Sequence, residues 1–128
     1  MEGATIRGPF ALLDHAVVKM GARIYGATTI GPHSVAGGEI KNAIIGACSA
    51  KAHDGYLGDS VIGNWCNLGA GTSCSNLKNN ASEVKVKIAS DTAPQLSGLK
   101  TGLIMGDYSR SAINTSFNCG SEIGRAHV

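Results

Sequence analysis

The sequence predicts an all-β protein built as a parallel β-helix, and three observations predict it. A branched apolar residue followed by Gly returns at Ile45-Gly46, Leu57-Gly58, Ile62-Gly63 and Leu68-Gly69, close to a six-residue period. In such a period each hexad is one short flat strand plus a corner. A second frame runs from the first residues, with Ile6, Leu12, Val18, Ile24 and Ile30 at position one and Phe10, Ala16, Ala22, Thr28 and Ser34 at position five. Composition is the third: 18 Gly against two Phe and one Trp in 128 residues would underfill an ordinary globular core. A solenoid coil needs only Ile, Leu, Val and small residues stacked inside.

Inward positions one and five, with Gly, Pro or polar residues at the corners, give a triangular coil of three hexads per turn. Residues 6–35 therefore make nearly two turns. Beyond Ala36 the frame slips, because Ile40 and Ile45 lie five apart, and a tighter corner at Gly37-Gly38 is expected to absorb the change. The run continues through Ile45, Lys51 and Leu57, loses one residue to Ile62 and recovers at Leu68. Lys51 thus falls on an inward position, where an unpaired ammonium is costly. A local register displaced by one residue is the expectation favoured here, with a partner at a subunit boundary as the alternative.

From about residue 77 to 100 the hexads vanish. Alternation in Glu83-Val84-Lys85-Val86-Lys87-Ile88 predicts a short strand, and residues 91–94 read as turn material. Insertions this long are uncommon in compact folds, so the segment reads as an arm leaving the wall to lie on a neighbour. Repeats return at Met105, Ser111, Phe117 and Ile123. The expectation is one domain, 1–128, interrupted by an arm at about 77–100. Both chain ends fall within repeat sequence, which reads as a piece of a longer protein whose open coil edges require cover.

Net charge is +2 with Lys and Arg scattered, so no basic patch argues for nucleic acid. No apolar run approaches the ~20 residues that span a bilayer, and the first residues carry no signal-peptide pattern. Cys48, Cys66, Cys74 and Cys119 show no Cys-x-x-Cys spacing, so neither zinc nor redox chemistry is expected of them. Cys66 occupies a fifth position and reads as a buried core thiol. A reducing, cytoplasmic setting follows from this cysteine usage.

Several segments carry a likeness to a known family. These are Glu39-Ile40-Lys41-Asn42, then Ala52-His53-Asp54-Gly55-Tyr56-Leu57-Gly58-Asp59, then Cys66-Asn67-Leu68-Gly69-Ala70-Gly71-Thr72, and Cys74-Ser75-Asn76. They resemble the acetyltransferase domain of the bifunctional enzyme that makes UDP-N-acetylglucosamine, a hexapeptide-repeat acyltransferase. Residues 19–33 and 102–107 resemble still more the sugar nucleotidyltransferase variants of that kind found in Bacteroidetes. The likeness extends over nearly the whole chain.

The resemblance implies a left-handed parallel β-helix, a homotrimer with active sites between adjacent helices, and acetyl-CoA as acyl donor to an amino-sugar phosphate. His53 matches the family's general base. The chemistry suits it, because a sugar ammonium must lose protons before its nitrogen attacks a thioester, and imidazole titrates near neutrality. Asp54 or Asp59 is the group to orient the ring. By the same matching Lys41 holds the sugar phosphate, Tyr56 and Asn67 the sugar, and Asn76 the acetyl or sugar end. The corner Gly69-Ala70-Gly71 offers backbone N–H groups to the thioester oxygen or the pantetheine arm.

Departures stand beside the matches. The family's phosphate-binding arginine, expected after Gly8-Pro9-Phe10-Ala11, falls near Asp14, with Lys19 or Arg23 as substitutes. A second family lysine falls near Ser82, with Lys78 and Lys85 as stand-ins. These departures keep open a non-catalytic or degenerate trimeric module of a sugar-nucleotide enzyme. A γ-type carbonic anhydrase would need a closely spaced histidine pair plus a third about two turns away, which His33 and His53 alone do not supply. His15, His33 and His127 read as surface residues, and Trp65 as packing at a trimer interface.

Overall fold

The computed structural model describes residues 2–87 and 93–124. Short strands stack into parallel sheets that form the walls of a triangular solenoid. One wall stacks Thr5–Arg7, Arg23–Tyr25, Glu39–Lys41 and Tyr56–Gly58. A second has six strands, from Phe10–Leu12 up through Thr28–Ile30, Ile44–Ile45, Val61–Ile62 and Ile104–Met105 to Glu122–Ile123. The third stacks Val17–Val18, Val35–Ala36, Ala50–Lys51, Asn67–Leu68 and Arg110–Ser111. Above the first wall, Ser73–Cys74 pairs with Ser116–Phe117. No helix among the described residues is long and apolar enough to cross a membrane.

The register bears out the hexad frame. Ile6, Ile24, Ile40 and Leu57 stack in one column, and Leu12, Ile30, Ile45, Ile62, Met105 and Ile123 in the next. Ile24, Ile30, Ile40, Ile45, Leu57 and Ile62 are all buried; Ile6 and Leu12, with a coil on one side only, are partly exposed. Position five turns inward too, and there its hydroxyls satisfy the corners. Ser34 Oγ donates to Gly46 O (2.6 Å) and accepts from Ser49 N (2.9 Å). Ser49 Oγ donates to Gly63 O (2.7 Å) and accepts from Cys66 N (2.9 Å). Cys66 is buried as expected, its thiol reaching Gly106 O at 3.1 Å, and burial raises its pKa.

The slips fall where the sequence places them. Only Gly37 and Gly38 separate Val35–Ala36 from Glu39–Lys41, and Gly38 takes a left-handed φ of 69°. The two corners shortened by one residue are turned by Asn42 (φ 51°) and Asp59 (φ 49°), polar residues that tolerate that region. The expectation of a displaced register at Lys51 is corrected. Lys51 pairs with Ala36, is 2% exposed and points into the coil. Its partners are carbonyls of its own chain.

Within the 77–100 segment, Lys85–Val86 pairs antiparallel with Gln95–Leu96, and Leu77 bridges Lys100 at the base. Val84 and Val86 are buried while Lys85 and Lys87 are exposed, as the alternation predicts. The base of the segment folds back on its own last coil, where a Cβ on Gly120 would lie 2.6 Å from Val84 Cγ1. Ile88, Asp91, Thr92 and His127, read above as strand, turn and surface residues, lie outside the described residues.

Candidate active site

His53 sits on the corner between Ala50–Lys51 and Tyr56–Gly58, the edge where the third wall meets the first. Its side chain is exposed. The corner itself is tightly seated. A Cβ on Gly38, one coil below, would come within 2.6 Å of His53 O, and a Cβ on Gly55 would lie 2.0 Å from Thr72 O above. Glycines therefore let three coils close on one another at this edge, leaving the imidazole as its outward feature.

On the first wall, residues flanking each inward position point outward, and the register orders them. Arg23, Glu39 and Tyr56 form one column; Arg7, Tyr25, Lys41 and Gly58 form the other. Tyr56 leans across Gly58, and its Oη accepts from Asn76 Nδ2 at 3.0 Å. The same Asn76 amide donates to Asp59 Oδ2 at 2.6 Å, and Asn42 Nδ2 donates to Asp59 Oδ1 at 2.8 Å. Burial pushes the Tyr56 phenol up to about 12, so it is a neutral hydrogen-bonding group at physiological pH. Below, Tyr25 Oη donates to Glu39 Oε1 at 2.5 Å and Arg23 Nη2 lies 3.6 Å from Glu39 Oε2. That phenol is raised chiefly by the hydrogen bond it donates to the Glu39 carboxylate. Arg7, Arg23 and Tyr25 line an open groove of about 290 Å³ at the foot of this wall.

The structure thus brings Tyr56 and Asn76 into contact beside the His53 corner, and puts Lys41 on the same wall. Asn67 lies elsewhere, exposed on the third wall in register with Ala50, on the other side of the His53 edge. Of the two carboxylates considered for orienting the imidazole, Asp59 is held by Asn42 and Asn76. Asp54 adjoins His53 on the corner. In the corner above, Gly71 N donates to Asp54 O (2.9 Å) and Gly69 N to Ser111 O (3.1 Å). Those two N–H groups are committed to the solenoid ladder, whereas Ala70 N has no hydrogen-bond partner among the described residues. His33 stacks on His15, ring centroids 5.0 Å apart, one edge away from His53.

An 86-residue stretch, 67% of this chain, is 38% identical to a protein named bifunctional protein GlmU from Methanocaldococcus jannaschii, and spans 21% of it. The chain is a relative of the bifunctional GlmU proteins. A GlmU of Methanococcus maripaludis strain C5 is 41% identical over 86 residues, 67% of this chain and 20% of the relative. The bifunctional sugar-1-phosphate nucleotidylyltransferase/acetyltransferase of Sulfurisphaera tokodaii is 36% identical over 86 residues, with 67% and 21% covered. The chain spans about a fifth of the length of these relatives. No family model matches it.

The residues of this wall hardest to read from sequence are those joined only by register. Tyr25, Glu39 and Arg23 come together because Ile24 and Ile40 lie 16 residues apart, a coil length shorter than three full hexads. Asp14, where the resemblance puts a phosphate-binding arginine, lies on another corner, its carbonyl accepting from His33 N. The basic residue adjoining the Lys41 strand is Arg23.

Proposed function

We propose that this solenoid is an acetyl-CoA-dependent N-acetyltransferase acting on an amino-sugar phosphate of the glucosamine 1-phosphate class, with His53 as general base. The observation that carries the reading is the convergence of Tyr56, Asn76 and Lys41 on the wall that borders the His53 corner. Two of the relatives' printed activities, sugar-1-phosphate nucleotidylyl transfer and acetyl transfer, support the same substrate class.

The chemistry runs by direct transfer. The acceptor amine, freed of its extra proton, attacks the thioester carbonyl while His53 accepts a proton from the nitrogen. An N–C bond forms, the C–S bond breaks, and the departing thiolate takes the proton as coenzyme A thiol. Lys41 and Arg23 hold the phosphate by charge-assisted hydrogen bonds. The neutral Tyr56 hydroxyl and the Asn76 amide hold the sugar, Asn67 reaches it from the other wall, and the Ala70 N–H meets the thioester or pantetheine arm.

The reading includes a left-handed coil and a homotrimer whose sites lie between adjacent solenoids. Supporting the trimer, Ile44 and Val61 are exposed side by side on the second wall, and Trp65 stands exposed near its edge. Exposed Leu96 and Leu99 fit an arm that touches a neighbour. The four free cysteines accord with a reducing, cytoplasmic compartment.

Isothermal titration with acetyl-CoA and with glucosamine 1-phosphate tests whether the site is built. Saturable binding of both, with acetyl-CoA binding retained in His53→Ala, is expected. A parent protein that binds neither would leave the non-catalytic module as the correct reading.

A further inference from the structure

Lys51 is the one charged side chain buried in the lumen among the described residues, and it lies two positions before His53. Its presence there has a geometric cause. Along this edge the N–H groups of each coil donate to carbonyls of the coil above: Gly37 N to Lys51 O (2.6 Å) and Glu39 N to Gly55 O (3.3 Å). Ala36 and Ile40 are four residues apart, whereas Lys51 and Leu57, their partners one coil up, are six apart. The upper corner therefore has more carbonyls than the lower corner has donors. Asp54 O is taken by Gly71 N from above (2.9 Å). His53 O has no main-chain donor among the described residues, and neither has Gly37 O beneath it.

Lys51 Nζ supplies both, donating to Gly37 O at 3.1 Å and to His53 O. The space it occupies exists because residue 38 is Gly, where a Cβ would come within 2.9 Å of Nζ. We propose that Lys51 is a positioning residue for His53, its ammonium fixing from inside the coil the peptide that carries the catalytic imidazole outside it. For its catalytic consequence this rests on the acetyltransferase reading above.

The arrangement links a lumenal charge to a surface ring through one carbonyl. A charge-assisted hydrogen bond is about twice as strong as a neutral one, so loss of the Lys51 proton slackens the corner. Burial lowers the ammonium to about 8, against the opposing pull of Asp54 and Cys74. Those two are the titratable groups that act on it, and His53 meets it through its main-chain carbonyl, with the ring outside the coil. The strands below and above present Val35, Ala36, Asn67 and Leu68, and Lys19 lies by Gly37 with its end exposed.

The test is an NMR pH titration of the histidine imidazoles, with the His53 signals assigned by their loss in His53→Gln. In the parent, His53 is expected to show a second inflection near pH 8 that survives Cys74→Ser, disappears in Lys51→Met, and is absent from His15 and His33. In turnover, Lys51→Met is expected to lower kcat about 10–100-fold with acetyl-CoA KM unchanged, and Lys51→Arg to restore some of it. A parent His53 without the second inflection overturns the inference whether or not Lys51→Met folds. An inactive parent with the coupled titration intact would instead fail the acetyltransferase reading and leave the Lys51–His53 link standing.

Discussion

The Tyr56 ring crosses Gly58 so closely that a Cβ there would lie 2.2 Å from the phenolic oxygen and 2.5 Å from Cζ. Gly58→Ala is therefore expected to swing the phenol away from Asn76 while the buried Leu57 beside it keeps the strand in place. Acceptor KM should rise about tenfold, the cost of about 1.4 kcal/mol of binding. The phenol titration should also move down from about 12 toward the ordinary value, since burial is its first cause. Steady-state kinetics and a spectrophotometric tyrosine titration check the two halves.

The stacked glycines of the second wall permit no such escape. A Cβ on Gly46 would meet the Gly63 carbonyl carbon and oxygen at 2.7 Å, both backbone atoms, whereas none of the described residues lies within 4 Å of one on Gly124. Gly46→Ala is expected to cost about 1–3 kcal/mol by overpacking. Gly124→Ala should stay within about 0.5 kcal/mol of the parent. Denaturant midpoints of the two variants make the comparison.

Ser49 closes two buried main-chain groups, Cys66 N at 2.9 Å and Gly63 O at 2.7 Å. Ser49→Ala leaves both without that hydroxyl and is expected to cost about 1–3 kcal/mol. Ser49→Cys should recover some of the loss, because Cys66 fills the equivalent role in the next coil, its thiol on Gly106 O. Thermal unfolding of the pair decides it.

Stability should depend on pH through Lys51. Its folded pKa of about 8 lies below that of an unfolded lysine, about 10.4. Between those values the unfolded chain binds more protons, so this group's contribution to stability rises with pH across that window. Below pH 8 its full penalty is present. Cys66 and Tyr56 act oppositely: both are raised by burial, and both lose stability as pH climbs past their unfolded values. The parent-minus-Lys51→Met difference in unfolding free energy removes those terms and is expected to rise from pH 8 to 10. A flat difference would contradict the buried ammonium.

The solenoid was legible because its period depends on local chemistry: Ile24, Ile30, Ile45, Leu57, Ile62 and Leu68 each sit where a flat strand turns one side chain inward. The missing residues at Gly37-Gly38 were also legible, as a break in that period. Lys51 was not. Hydrophobicity argued it off the inward position, and its compensation is two carbonyls left over by unequal corners, a relation between coils rather than within one. The candidate site divides the same way. Tyr56 and Asn76 were named from resemblance and meet in space, while the hydrogen bonds that Asp59 takes from Asn76 and Asn42 are set by the stacking of coils. Asn67, named on equal footing, stands on another wall because one hexad shifts a residue by a full face.

The central claim is that the His53 edge transfers an acetyl group. Incubation with acetyl-CoA and glucosamine 1-phosphate, followed by thiol release and mass spectrometry of the sugar, measures it directly. Equal amounts of free coenzyme A and N-acetylated sugar phosphate are expected, with turnover lost in His53→Ala. Equal turnover in parent and His53→Ala, or none in a parent that binds both substrates, would contradict it.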